Sequence, residues 1–206
     1  NLHVYSYFCF TMNKHFVFTV IVALLFAFIG CSGPTNTSTT EHKPPVDTDL
    51  QLGKEIALAT KAVLGKHLTH AIQTKGTAGA VDFCSLQAIS LTDSVGFVKH
   101  AKVSRLSDLP RNPNNFASEP FLSQIGTYKT QLLNGDKLNG NSILHEGKEY
   151  HCYPIVTNGM CLQCHGKKGT DIAPETLKVL NEKYPNDLAT GYSANQLRGI
   201  WVVEMN

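Results

Sequence analysis

From Asp49 to Gly76 the chain reads DLQLGKEIALATKAVLGKHLTHAIQTKG, with Leu52, Ile56, Ala59, Val63 and Ile72 at near-helical spacing. Asp49 is placed to cap such a helix and Gly76 to stop it. The next stretch, TAGAVDFCSLQAISLTDSVG, puts Val81, Cys84, Ala88 and Leu91 on one face of a second helix. The pattern then shortens. GFVKHAKVSRL predicts a strand, EPFLSQIGTYKTQLLNG a helix ending at Asn134-Gly135, and SILHEGKEYHCYPIV a hairpin that turns at its glycine. APETLKVLNEKYP predicts a short helix stopped by Pro185, and RGIWVVEM a closing strand. Helices lead, antiparallel strands follow and no strand–helix–strand rhythm occurs, so the expected class is α+β.

Upstream, the pattern changes character. MNKHFVFTVIVALLFAFIGCSG begins at Met12, carries Lys14 as a short positive region and is almost wholly apolar from 16 to 30. It is too short to span a bilayer comfortably and predicts a secretory signal over residues 1–30, with 1–11 upstream of the true start. The ending FIGCSG resembles the lipobox of bacterial lipoproteins, with Phe28 where leucine is usual. The expectation is that Cys31 is diacylated and anchors the chain to a membrane; ordinary cleavage is the alternative. Residues 31–46, rich in Ser, Thr and Pro, bury too little to offset ordering entropy and predict a flexible tether. Residues 47–206 are the size of one domain. With 18 basic against 16 acidic residues, nucleic acid is not an expected partner.

Two of the six cysteines fall in MCLQCHG, where Cys161, Cys164 and His165 form C-x-x-C-H. Zinc, dithiol redox, a local disulfide and covalent haem all use C-x-x-C. A structural zinc site wants four ligands, usually two pairs, and no second pair is present. A thioredoxin-like motif needs a βαβ setting, and a disulfide has no use for His165. Covalent haem uses all three residues, two thiols for the vinyl groups and an imidazole for the iron, and it needs the export that the signal supplies.

The opposite face of such an iron is open to several residues. Met160 adjoins Cys161 and cannot cross the ring. His67 and His70 share one helix face, which beside Lys66 and Thr69 reads more readily as solvated than as a metal site. His151 and Cys152 alternate on a strand and point to opposite faces. Cys84 sits on an apolar helix face far from the motif, either as a ligand or as an ordinary buried thiol. Arg111 or Arg105 would suit a haem propionate, or serve as a structural pair. YPNDLATGY reads as an ordered loop covering a ring edge.

AVDFCSLQAIS, KVSRLSDLPRNPNN, YHCYPI, CLQCHG and YPNDLATGYSANQLRGIWVV follow one another in an order that resembles a bacterial family of single-haem c-type cytochromes with a PAS-like fold. The resemblance covers about residues 50–204. It implies a PAS-like antiparallel sheet with N-terminal helices, one covalent haem c on Cys161 and Cys164, and iron held by His165 and Cys84. Arg111, Asn112, Pro113 and Asn115 match one block of that family, and Tyr184, Pro185, Asp187, Ala189, Gly191 and Tyr192 another; Arg198 and Gly199 precede the last strand. Where this chain has His151-Cys152 the family more often has an aromatic or basic residue, so Cys152 is either packing or a second thiol near the haem. The expected function is redox or gas sensing, or specialised electron transfer, by an exported, lipid-anchored protein that is not an enzyme. It would have an unknown redox partner and could admit a small gas when reduced. A small haem peroxidase or reductase with a displaceable sixth ligand is the alternative.

Overall fold

The computed structural model describes residues 47–205. The expected signal, lipid site and tether lie outside the described residues. Among the described residues no helix is long and apolar enough to cross a membrane.

The two N-terminal helices are one broken rod, α1, Thr48–Val98, interrupted at Gly76. Gly76 has φ 67°, a left-handed conformation that costs glycine little, and this divides α1 into arms at 48–75 and 77–98. Asp47, not Asp49, is the cap: its Oδ1 accepts from the backbone N–H of Asp49 and Leu50, each at 3.1 Å. The face buried on the first arm is Gly53, Ile56, Ala57 and Thr60, so the stripe is rotated from the expected one and Leu52 is exposed.

The strand β1, Ala101–Leu106, is shorter than GFVKHAKVSRL suggested, because the helix continues to Val98. A Cβ on Gly96 would stand 2.6 Å from the carbonyl oxygen of Ala101, so only glycine lets the helix end lie this close to the strand it feeds. A 3-10 turn, Pro113–Asn115, leads to α2, Phe121–Asn134, which ends at Gly135 with φ 76°. The hairpin is β2, Asn141–His145, and β3, Lys148–Val156, joined through Glu146 and Gly147, both at positive φ. Then come α3, Gly159–His165, α4, Pro174–Lys183, and β4, Leu197–Met205.

The four strands form one antiparallel sheet in the order β1-β4-β3-β2, and the α+β class expected from the pattern is the class observed. Strand alternation gives the sheet two differently used faces. Cys152, Ile200 and Val202 pack under Phe121, Ile125 and Tyr128 of α2. Tyr153, Trp201, Val203 and Val103 pack under Ile56 and Ala57 of the first arm. Each large side chain in these layers contributes roughly 1.5–3 kcal/mol by leaving water. A third cluster joins Val81 of the second arm to Ile172 and Leu180 of the segment after α3.

Candidate functional site

The motif occupies α3, a helix that periodicity did not indicate. Asn158 caps it, its Oδ1 accepting from the N–H of Met160 at 3.0 Å and of Cys161 at 3.2 Å and from the Cys161 thiol at 3.3 Å. The helix ends at Gly166, where a Cβ would meet Asp171 Cβ at 2.4 Å and the carbonyl of Leu162 at 2.6 Å. Gly166→Ala is expected to destabilise the domain by about 1–3 kcal/mol, read as a lower midpoint in urea denaturation.

His165 is fixed by the loop that follows α4. Its Nδ1 lies 2.7 Å from the carbonyl oxygen of Ala189, which can only accept, so the proton is on Nδ1 and the lone pair on Nε2. Burial holds the imidazole well below its usual pKa, and the guanidinium charges of Arg111, Arg198 and Arg105 push the same way. The ring packs edge-on to Tyr192 at 6.4 Å, and the backbone N–H groups of Tyr192 and Gly191 donate to the carbonyls of His165 and Gly166 at 2.9 and 2.8 Å. A neutral imidazole with its second nitrogen engaged by a carbonyl is the form in which histidine ligates a metal.

Arg111 ties this assembly together. Its Nε donates to Asp187 Oδ2 at 3.0 Å, while Nη2 donates to the carbonyls of Cys164 at 2.5 Å and Ala189 at 3.4 Å. Asp187 Oδ1 in turn accepts from the N–H of Ala189 at 2.8 Å. Of the two arginines considered for a propionate, Arg111 therefore holds the motif helix to the His165 loop, while Arg105 lines a cavity.

That cavity, about 270 Å³, lies among both arms of α1, the Ile155–Trp201 face of the sheet and α3. Cys84, from the second arm, and Cys161, from α3, both line it. Cys84 is exposed, and it forms part of the cavity wall. Burial pushes its thiol pKa up, and the charges of Arg105 and Arg111 oppose that. The Cys164 thiol is likewise raised by burial, and the charge of Cys84 is close enough to act on it.

Cys84 and Cys161, 77 positions apart, thus line one cavity. Cys152 does not join them. It is fully buried in the layer under α2, its carbonyl accepts from the Tyr128 hydroxyl at 2.9 Å, and burial pushes its thiol up to about 12. His151 points to the other face and meets Ser142 Oγ at 2.8 Å through Nδ1. His67 and His70 are solvent-facing, with His67 stacked on Phe83. Among the described residues no three His, Cys, Asp or Glu side chains are grouped to hold a metal ion.

The profile of the Tll0287-like family matches residues 36–206. The chain belongs to that family. Among solved structures it is similar to one described as the cyanobacterial heme-protein Tll0287, at 19% identity and a TM-score of 0.60, over 77% of this chain and 95% of that one. Nothing among the curated proteins matches.

Asn158, which caps the motif helix, was missed from the sequence, whereas Asp187 and Ala189 were named with the YPNDLATGY block but without their role in setting the imidazole. The signal for the last two was present in NDLA, where an aspartate two residues before a backbone N–H is the pattern of an Asx turn.

Proposed function

We propose that the domain is a c-type haem protein that senses redox state or a small gas, or carries electrons in a specialised chain. Cys161 and Cys164 would bond one haem, and His165 and Cys84 would be the ligands to its iron. The observation that carries this reading is the 2.7 Å contact from His165 Nδ1 to the Ala189 carbonyl, which leaves Nε2 free as a ligand beside two thiols. The donor set fits in kind: two thiols and an oriented neutral imidazole on α3, with a third thiol across the adjoining cavity on the second arm. The solved family relative is described as a heme-protein, which supports the same reading.

Bound haem would supply a one-electron couple and a position for diatomic ligands. The chain's own residues do the rest. Asn158 and Arg111 hold the two ends of α3, Ala189 sets the imidazole's proton, and the mostly apolar cavity wall suits an apolar ring. With both His165 and Cys84 as ligands the iron would have no open position for a substrate, and a diatomic would enter only where the sulfur lets go on reduction, so turnover is not part of the proposal. Polypeptide made in a host competent for cytochrome c maturation should keep its haem through denaturation and acid extraction, with the mass of the chain plus one haem. Freely extracted haem would sink the reading.

We further propose that the protein is exported and anchored by lipid at Cys31, supported by the lipobox-like FIGCSG. The wild-type chain should then partition with membranes, and Cys31→Ser should be released or remain unprocessed. An unmodified N-terminus elsewhere on a soluble chain would refute the anchor.

A further inference from the structure

Arg105, on β1, has no hydrogen-bond or ion-pair partner for its guanidinium among the described residues; it lies over the face of Trp201, 5.8 Å to the ring centroid. It lines the Cys84 cavity and also a second, smaller pocket of about 150 Å³. Arg198, on β4, lines that second pocket as well. Its Nη1 donates to Ser107 Oγ at 2.8 Å and to the carbonyl of Leu109 at 3.1 Å, but its Nε is buried with no acceptor. No acidic side chain lines the pocket, and the amide-bearing Asn115 contributes to its wall. Two guanidiniums thus line one recess that has no acidic side chain in its wall, although Asp187 acts on Arg198 from outside it and Arg198 also lies over the Tyr192 ring at 5.5 Å; an anion in the recess would complete the arrangement.

We propose that Arg105 and Arg198 form a seat for one carboxylate-class oxyanion. Guanidinium forks match a carboxylate's two oxygens, which an ammonium does not do as well. The recess, about 150 Å³, is far too small for a haem macrocycle but has room for an acid group. Arg105, Ile155 and Trp201 are shared between the two pockets, so the anion can be a propionate of a haem in the larger cavity or a free small carboxylate. The first source rests on the haem reading and the second does not.

The test is thermal denaturation of the full chain, prepared without haem and with it, in sodium propionate against sodium chloride at equal ionic strength. The haem-free chain should gain melting temperature saturably in propionate. Arg105→Gln and Arg198→Gln should each weaken the apparent affinity about tenfold or more, as expected when a charge-assisted bond is lost. Arg105→Lys, which keeps the charge and loses the fork, should fall between. If the haem-loaded chain no longer responds to propionate, the haem's own carboxylate occupies the seat. A loaded chain that responds like the haem-free one points to a free carboxylate. No advantage of propionate over chloride in the haem-free chain, or a response that survives both glutamine variants, overturns the proposal whether or not haem is bound.

Discussion

Cys84→Ala is expected to leave the haem attached while shifting the ferric spectrum towards high spin and raising the midpoint potential by on the order of 100 mV, within the roughly 0.8 V that axial ligation spans. In the proposed reading attachment would depend on Cys161 and Cys164, which are on a different element and are untouched by the change. An anionic sulfur donor favours the oxidised iron, so its loss moves the potential upward. Burial pushes the Cys84 thiol up despite Arg105 and Arg111, so the free chain holds it as a thiol and a bound metal cation is needed to take its proton. The same property makes the sulfur the weaker of the two axial donors when the iron's charge falls, giving two ligation states set by redox poise. Optical spectroscopy and potentiometry on the matured variant check this. Cys152→Ala, in the layer under α2, should change neither quantity. Were Cys152→Ala to alter both and Cys84→Ala neither, the sulfur ligand would be misassigned.

Arg111→Ala is expected to destabilise the folded domain by about 3 kcal/mol and to loosen the imidazole. Arg111 and Asp187 are 3.0 Å apart and their side chains are only 14% and 6% exposed. Removing one partner of a buried pair leaves the other charge uncompensated, typically at 3–5 kcal/mol, and the low end fits a pair that retains some access to water. The variant also strips the Cys164 and Ala189 carbonyls of a donor, so the loop that accepts from His165 Nδ1 loses its tie to α3. Urea denaturation of the haem-free chain gives the stability. Broadened or shifted signals of the His165 ring in NMR spectra, compared with Arg111→Lys, separate loss of orientation from loss of charge.

Much of this was legible from residue pattern because local rules and the fold agree. Gly76 reads as a stop and is one, since its left-handed φ suits glycine alone. Asn134-Gly135 and the Glu146-Gly147 turn follow the same logic. GFV was misread because β-favouring residues can also end a helix when a glycine lets it lie against the next strand, and only the tertiary contact at Ala101 reveals that. The rotated stripe on the first arm has a similar cause. Gly53 and Ala57 are buried for their smallness, under Tyr153, while the larger Leu52 faces out. Within the site, C-x-x-C-H carries its own chemistry, but the pairing with Cys84 spans 81 positions and no local rule encodes it. Resemblance supplied that pairing, and the shared cavity is where the fold brings the two segments together.

The sheet order has a consequence for how the chain comes to be folded. β4, furthest along the chain of the four strands, lies between β1 and β3. Until Leu197–Met205 is available, β1 has no partner and β2 with β3 is a lone two-stranded ribbon, marginal in water by itself. Nearly a hundred residues separate the two members of the β1–β4 pairing, so loop closure precedes any reward from it. A chain emerging from the ribosome therefore cannot complete its centre early. It stays threadable until synthesis of this region is over, a property that would serve the export proposed above.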